Sequence, residues 1–276
     1  MADIRLIALD LDGTLLTTDK QLSAENLQAL EQAAAQGIYI VPTTGRFYTA
    51  MPEFIRALPF IRFAITMNGA QVLDTKTGVT LSRAEIPNAT AIRLMKYLDT
   101  QPVIYDCYKN AEAFMTASML ERAEEYIKDV HFLFMVQKLR RPVPELKRFI
   151  AEQGGDLQKV IAFFPDPAFK PELLEAVQTR FPELAVTSSI PGNLEINVAT
   201  ANKGRALLAL ADRLGIPHES TMAFGDGLND LSMIKAAGVG VAMANSIPEV
   251  LAAADHVTLD NDSSGVAVAM RKYIKL

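Results

Sequence analysis

Short apolar runs alternate with amphipathic stretches in the first third of the chain. Residues 5–9, 38–41 and 63–67 are compact, mostly apolar runs, which predicts buried strands. In residues 23–36 and 49–57, apolar positions recur at helical spacing, which predicts a helix in each. Strands and helices that alternate in this way predict a parallel sheet with helices covering both of its faces.

The last third of the chain resumes the same rhythm. Its predicted elements, in chain order, are a helix at 203–214, a strand at 221–224, a helix at 228–237, a strand at 239–243, a helix at 247–253, a strand at 256–259 and a helix at 265–274. Ser23 is placed to cap the first helix of the chain, and Gly37, Gly215 and Gly238 are placed to end helices.

The middle of the chain has a different pattern and is long enough to form a domain of its own. The predicted helices here are 90–98, 117–127, 143–153 and 171–180, and the strand-like runs are 130–136 and 160–164. We therefore predict a core made of residues 1–82 and 197–276, with residues 83–196 inserted as an α+β domain.

Charge and composition narrow the classes of partner. The chain has 276 residues, and 27 Lys and Arg against 32 Asp and Glu give a net charge of −5. This balance predicts no nucleic-acid partner, and the lack of an apolar run long enough to cross a bilayer predicts no membrane partner. One cysteine, Cys107, and no leader-like pattern in residues 1–5 lead us to expect a cytoplasmic protein.

An acidic pair, Asp10 and Asp12, follows the first predicted strand and precedes a Gly-Thr turn. Residues two apart in a strand point the same way, so we expect both carboxylates to face one crevice. Two such charges are costly unless a cation lies between them or one binds a proton. The pair suits attack on an electrophile by one carboxylate and proton transfer by the other. An acidic surface turn and the metal-binding D-x-D of a glycosyltransferase are alternative interpretations.

Three further polar segments lie where predicted strands end or a helix begins. Thr44 and Gly45 offer a hydroxyl and backbone N–H groups that can hold a phosphate oxygen. Lys203 stands at a helix start, where a bound anion would offset the unfavourable helix dipole. Asp226 and Asp230 lie in a glycine-rich loop and offer the oxygen ligands that Mg²⁺ prefers. Taken singly, these segments also fit an ordinary capped turn, an exposed lysine and a capped helix start.

In this order, the four segments resemble the motifs of the haloacid dehalogenase (HAD) superfamily of phosphohydrolases. The resemblance is closest to its Cof-type subgroup with a large C2-type cap, and further segments carry it: Asn68-Gly69-Ala70, residues 225–233, residues 240–245 and residues 254–258. It implies an α/β fold, with a Rossmann-like, doubly wound parallel-sheet core and an inserted α+β cap that selects the substrate.

The resemblance also implies roles for individual residues. Asp10 would be the nucleophile, and Asp12 would protonate the leaving group and then activate water, so we expect Asp12 to start protonated and Asp10 to be kept ionised by the metal. The implied phosphate-binding residues are Leu11, Thr44, Gly45, Lys203 and Asn229. The implied Mg²⁺ ligands are Asp10, Asp12 (through its backbone carbonyl), Asp226 and Asp230.

The implied function is a Mg²⁺-dependent phosphomonoesterase that hydrolyses small phosphorylated metabolites, such as sugar phosphates or phosphorylated cofactors, through an aspartyl-phosphate. A phosphomutase or phosphotransferase on the same core, and a phospho-accepting binder without hydrolysis, are the alternatives. Arg46 and Glu195 lie near the expected junctions of core and cap and are candidates for substrate or closing contacts. We expect a monomer or a small homo-oligomer.

Overall fold

The computed structural model describes residues 3–274, and contacts within the chain divide it into two units. The first unit contains the chain up to Arg46, Met51–Arg83 and the chain from Asn202 onward. The second contains Phe47–Ala50 and Ala84–Ala201. Residues 1 and 2, on which the expectation of no leader partly rests, lie outside the described residues.

The strands of both units are short. In chain order they are β1 (Leu6–Leu9), β2 (Tyr39–Pro42), β3 (Phe63–Thr66), β4 (Gln71–Asp74), β5 (Thr80–Arg83), β6 (Ile104–Lys109), β7 (Glu112–Thr116), β8 (Arg140–Val143), β9 (Lys159–Phe163), β10 (Leu184–Thr187), β11 (Asn193–Val198), β12 (Thr221–Gly225), β13 (Val239–Ala242) and β14 (His256–Val257).

The helices account for most of the remaining regular structure. They are α1 (Ala24–Ala35), α2 (Glu53–Arg56), α3 (Asn88–Leu98), α4 (Ala117–Glu121), α5 (Ala123–Tyr126), α6 (Val130–Leu139), α7 (Leu146–Gln153), α8 (Lys170–Arg180), α9 (Lys203–Arg213), α10 (Leu231–Ala236), α11 (Pro248–Ala253) and α12 (Gly265–Tyr273). Single 3₁₀ turns occur at Tyr48–Ala50, Met67–Gly69, Pro167–Phe169, His218–Ser220 and Leu228–Asp230.

A five-stranded parallel sheet forms the centre of the first unit, in the order β14-β13-β12-β1-β2. One face of this sheet packs on α9, α10 and α11 through an apolar core that includes Leu6 and Ala8. Ile7 and Leu9, on the opposite face, are equally buried, and α1 packs against β2 and α12. The predicted parallel sheet with both faces covered is therefore confirmed. An antiparallel sheet of β3, β4 and β5 completes the unit.

The second unit contains a six-stranded sheet in the order β10-β11-β9-β6-β7-β8, in which only β7 and β8 pair in parallel. Its apolar face packs on α3, α7 and α8 through residues such as Tyr105, Val160 and Ile196. The opposite face carries polar side chains such as Asp106 and Lys159 together with apolar ones such as Ile161 and Phe163. The α+β character predicted for the middle of the chain is confirmed.

One predicted element is wrong in kind. Residues 130–136, predicted as strand-like, belong to helix α6, whose first turn is capped by Asp129: its Oδ1 accepts a hydrogen bond from the N–H of Phe132 (2.7 Å). A short apolar run does not by itself distinguish a strand from a helix. Val130 and Phe134 are 71% and 62% exposed, whereas Val136 is fully buried, so only one side of the helix is buried.

Three predicted helices are interrupted. The predicted helix at 49–57 is a 3₁₀ turn followed by α2, the predicted helix at 117–127 is divided into α4 and α5, and the predicted helix at 228–237 is a 3₁₀ turn followed by α10. Pro52 has no N–H to donate, so it ends one segment and begins the next. Within residues 3–274, no helix combines the length and the apolar character that crossing a bilayer requires.

Candidate active site

The carboxyl ends of β1 and β12 bring the predicted acidic segments together. The two strands are parallel neighbours, with Leu9 opposite Phe224, so the residues that follow each strand reach the same edge of the sheet. Asp10 is fixed there by its N–H, which donates to the carbonyl oxygen of Phe224 (3.0 Å). Because β1 ends at Leu9, Asp12 lies in the turn beyond the strand, and the two-residue period of a strand does not set its direction.

Three carboxylates form a cluster at this edge. One oxygen from each of Asp10, Asp226 and Asp230 lies within 4.8 Å of the others. Asp230 also shapes the loop, because its Oδ2 accepts hydrogen bonds from the N–H groups of Asp226 (3.0 Å) and Gly227 (2.9 Å). The Thr14 hydroxyl donates to Oδ1 of Asp226 (2.7 Å) and fixes the third carboxylate.

Lys203 supplies the buried cation of the cluster. It is the first residue of α9, which is capped by the side chain of Asn202. Its Nζ donates to Oδ1 of Asp10 (2.6 Å) and to Oδ1 of Asp230 (2.5 Å), and the side chain is fully buried. Burial alone would lower the pKa of Lys203, but the two carboxylates outweigh burial and raise it. Carboxylates of the protein thus provide the anion expected at this helix start.

The cluster holds more negative charge than Lys203 balances. Burial, and then the neighbouring Asp230, raise the pKa of Asp10 well above its usual range. The same two causes raise the pKa of Asp226 to about 7. An all-oxygen donor set with this excess of negative charge fits a divalent cation, which would offset the repulsion between the carboxylates.

Asp12 faces a different pair of cations. Arg46 donates from Nε to Oδ2 (2.8 Å) and from Nη2 to Oδ1 (2.7 Å), and Nζ of Lys20 lies 3.0 Å from Oδ1. Burial alone would raise the pKa of Asp12, but Arg46 and then Lys20 outweigh it and lower the pKa to about 2. This direction is the reverse of the expectation that Asp12 starts protonated, because the Arg46 guanidinium donates to both carboxylate oxygens of Asp12.

The predicted phosphate-binding residues lie on the first unit. Thr44 is buried after β2, and its hydroxyl accepts a hydrogen bond from the N–H of Arg46 (3.2 Å), with Gly45 between them. Leu11 has a buried side chain, and its carbonyl oxygen accepts from Leu16 N–H (2.9 Å). Asn229 donates from Nδ2 to Oδ1 of Asn68 (3.3 Å). Their predicted contacts with a phosphoryl group stay predictions.

Glu195 lies in the second unit, on β11. It is 2% exposed, and its Oε2 accepts a hydrogen bond from Nζ of Lys159 (3.0 Å). Its Oε1 accepts from the Ser189 hydroxyl (2.5 Å). Its predicted role in substrate or closing contacts stays a prediction.

Sequence analysis alone does not identify three residues of the site. Thr14 follows the acidic pair in the Gly-Thr turn and Asn68 belongs to the segment Asn68-Gly69-Ala70, but neither position predicts a role. Lys20 carried no motif at all, and its place beside Asp12 depends on a turn in which it adopts φ +60°. This conformation is rare for a lysine and cannot be read from the residue types around it.

A model of the haloacid dehalogenase-like hydrolase family matches residues 7–270. The chain belongs to this family. The predicted Cof-type HAD phosphatase is confirmed by this match together with the curated relatives. The chain is therefore a phosphatase of the HAD type.

Relatives and solved structures span nearly the whole chain. The 5-amino-6-(5-phospho-D-ribitylamino)uracil phosphatase YcsE of Bacillus subtilis (strain 168) is 31% identical over 99% of this chain and 96% of its own. Pyridoxal phosphate phosphatase YbhA of Escherichia coli (strain K12) is 29% identical over 95% of this chain and 96% of its own. The structure of a haloacid dehalogenase-like hydrolase from B. subtilis matches with a TM-score of 0.84 at 32% identity, covering 98% of this chain and 100% of that one. The predicted α/β fold with an inserted cap is thereby confirmed.

Proposed function

We propose that this chain is a Mg²⁺-dependent phosphomonoesterase that hydrolyses small phosphorylated metabolites through an aspartyl-phosphate on Asp10. The single observation that carries the proposal is the Asp10 carboxylate, held by the buried Lys203 inside the cluster with Asp226 and Asp230. Phosphoryl transfer depends mainly on positioning and charge neutralisation, and this cluster supplies both.

In the first step, Asp10 attacks phosphorus. Lys203 donates to Oδ1, so we assign the attack to Oδ2. The bond between Oδ2 and phosphorus forms while the bond from phosphorus to the leaving oxygen breaks. Lys203 stabilises charge on the phosphoryl oxygens, with Thr44, Gly45, Asn229 and Leu11 as the further phosphate-binding residues that we propose.

Asp12 is the residue that we propose to transfer the proton in both steps. It protonates the leaving alcohol in the first step, and in the second it removes a proton from the water that attacks phosphorus and releases Asp10. The pair with Arg46 keeps Asp12 a carboxylate before substrate binds, which suits the base step directly. For the acid step, Asp12 must take up a proton as substrate binds, and a phosphate dianion beside it favours this uptake.

Mg²⁺ is the cation that we propose for the cluster. It prefers oxygen ligands and retains several waters, which suits a site with few carboxylates and a phosphoryl group. Asp10, Asp226 and Asp230 are the side chains that would hold it, and the backbone carbonyl of Asp12 is the further ligand that we propose. When bound, the ion would neutralise the carboxylates and polarise the phosphoryl group.

We propose that the first unit is the catalytic core and the second the cap that selects the substrate. The relatives named for phosphatases of pyridoxal phosphate and of a phosphoribitylamino-uracil support small phosphorylated metabolites as the substrate class. A cytoplasmic location and a monomer or small homo-oligomer stay predictions.

Phosphate release from a panel of sugar phosphates, nucleotides and phosphorylated cofactors tests the proposal. We expect release with Mg²⁺, none with EDTA, and a loss of at least about 10³-fold in the isosteric variant Asp10→Asn. An unchanged melting temperature of Asp10→Asn would show that the variant is folded. Release that persists in this variant would contradict the role of Asp10, and absence of release from every compound would favour a mutase or a phospho-accepting binder.

A further inference from the structure

We propose that Lys20 is a specificity-determining residue that binds a second anionic group on the substrate, close to the scissile phosphate. The proposal rests on the proposed function, because it takes Asp12 as the residue that contacts the leaving oxygen. It assigns a substrate class: phosphomonoesters whose leaving group carries a carboxylate or a further phosphate near the ester oxygen.

The first argument is charge. Arg46 binds both oxygens of Asp12 in a fork, which by itself pairs one cation with one anion. Lys20 adds a second cation, 3.0 Å from Oδ1. Asp12 therefore contacts a second cation in addition to the one that the fork pairs with it, and the ammonium of Lys20 can bind an anionic group of a ligand as well.

The second argument is distance. A residue that transfers a proton to the leaving oxygen must come within about 3 Å of it. Because Nζ of Lys20 lies 3.0 Å from Oδ1 of Asp12, it would then lie within about 6 Å of the leaving oxygen when Oδ1 transfers the proton, and within about 8 Å when Oδ2 does. A group on the carbon that bears the ester oxygen, or on the next carbon, falls within reach of that ammonium.

The third argument is accessibility. The Lys20 side chain is 31% exposed, against 14% for Arg46, so Lys20 is the cation of the pair that a ligand reaches more easily. A flexible ammonium with three donors can keep one hydrogen bond to Asp12 and turn another toward a ligand.

The fourth argument is that the turn holds Lys20 in place. Lys20 adopts φ +60°, a conformation that favours glycine or asparagine, and its N–H donates to the carbonyl oxygen of Thr17 (2.8 Å). The neighbouring Thr18 donates from its N–H (2.8 Å) and hydroxyl (2.7 Å) to the two oxygens of Asp262. Strained backbone persists where surrounding contacts fix it, and such positions cluster at functional sites.

A matched pair of substrates tests the proposal. 2-Phosphoglycerate and glycerol 2-phosphate differ only in a carboxylate against a hydroxymethyl group on the carbon that bears the phosphate. We expect the wild type to have the higher kcat/KM for 2-phosphoglycerate. In Lys20→Gln we expect this preference to fall about five- to tenfold, mainly through KM, and in Lys20→Arg to be largely kept. Lys76→Gln, an exposed lysine in the turn between β4 and β5, is the matched control and should leave the preference unchanged.

Each other outcome has a definite meaning. Equal losses of kcat/KM on both substrates in Lys20→Gln would show that Lys20 only positions Asp12, and unchanged kcat/KM on both would show that Lys20 contacts no anion. Either result overturns the proposal. If neither compound is turned over, the ratio of their inhibition constants against the best panel substrate gives the same comparison. A wild type active on the panel but without preference for the anionic compound overturns this inference alone. A wild type inactive on every compound removes the proposed function, and this inference with it.

Discussion

Lys203 is a buried cation that is shared by two carboxylates. Its Nζ contacts both Asp10 and Asp230, so its loss would leave two buried acidic groups without their cation. Removing one partner of a buried ion pair typically costs about 3–5 kcal/mol. We therefore expect Lys203→Met to lower the free energy of unfolding by about 3 kcal/mol and to lose phosphatase activity, as measured by thermal unfolding and phosphate release.

Arg205→Met is the matched control for that variant. Arg205 lies two residues further along the same helix and is exposed, so the same change there removes a solvated charge. Its effect on stability should be within about 0.5 kcal/mol. Equal stability of the Lys203 and Arg205 variants would contradict the role given to Lys203 in the charge balance of the cluster.

The sequence predicts the residues at the strand ends well and the salt bridges between turns poorly. Asp10 and Asp226 converge because parallel strands end at one edge of the sheet, which follows from the pattern of strands alone. The contacts of Asp12 with Arg46 and Lys20 depend instead on turn conformations and side-chain rotamers. The low pKa of Asp12 in the absence of substrate therefore does not follow from the sequence pattern, since Arg46 and Lys20 set it.

Helices α9 and α10 approach each other closely at Gly204. A Cβ atom built on this glycine would collide with the backbone carbonyl of Ser232. Alanine is the better helix former by about 1 kcal/mol, so helix propensity alone predicts that Gly204→Ala stabilises the protein. We expect the opposite, a net loss of about 2 kcal/mol, because backbone must move to make room. Activity should fall as well, since Lys203 would shift with the start of α9.

Ala209→Gly separates propensity from packing on the same helix. Ala209 is exposed, so this change should cost about 1 kcal/mol in unfolding free energy and leave phosphate release intact. Chemical denaturation of both variants gives the comparison. A Gly204→Ala protein that is more stable than the wild type would show that the two helices have room to adjust.

Prediction of the elements succeeds where periodicity and caps agree. Ser23 caps α1 by accepting from the N–H of Asn26, and Gly37 follows with φ +83°, both as predicted. The prediction for residues 130–136 fails because six of these seven residues are apolar, which hides the helical pattern of burial, in which Val136 is buried and Val130 and Phe134 are exposed. The start of α6 is marked only by the capping residue Asp129. One capping residue is too weak a signal to outweigh an apolar run.

The whole molecule should respond to pH and metal through the aspartate cluster. Folding raises the pKa of Asp226 from about 4 to about 7 without metal, so the folded state binds this proton more tightly than the unfolded chain. The stability that this proton contributes is complete at low pH and is lost as pH rises from about 4 to about 7. Over that range we expect the free energy of unfolding of the metal-free wild type to fall by on the order of 2–4 kcal/mol more than that of Asp226→Asn.

Melting temperatures across pH, with EDTA and with Mg²⁺, provide the measurement. Mg²⁺ at pH 7.5 should raise the melting temperature of the wild type, because a ligand that binds only the folded state stabilises it. Asp226→Asn should respond much less. Parallel pH curves for the two proteins would contradict the raised pKa of Asp226, and an equal response to Mg²⁺ would contradict the assignment of the cluster as a metal site.

The most direct test of the account is to trap the phosphorylated enzyme. With 4-nitrophenyl phosphate, whose leaving group needs no proton, an Asp12→Asn variant should form the aspartyl-phosphate but release it slowly. We expect a burst of roughly one nitrophenolate per chain, and acid-quenched peptides that carry one phosphoryl group on Asp10. A phosphoryl group on another residue, or steady turnover by the wild type with no phosphorylated enzyme in either protein, would contradict Asp10 as the nucleophile.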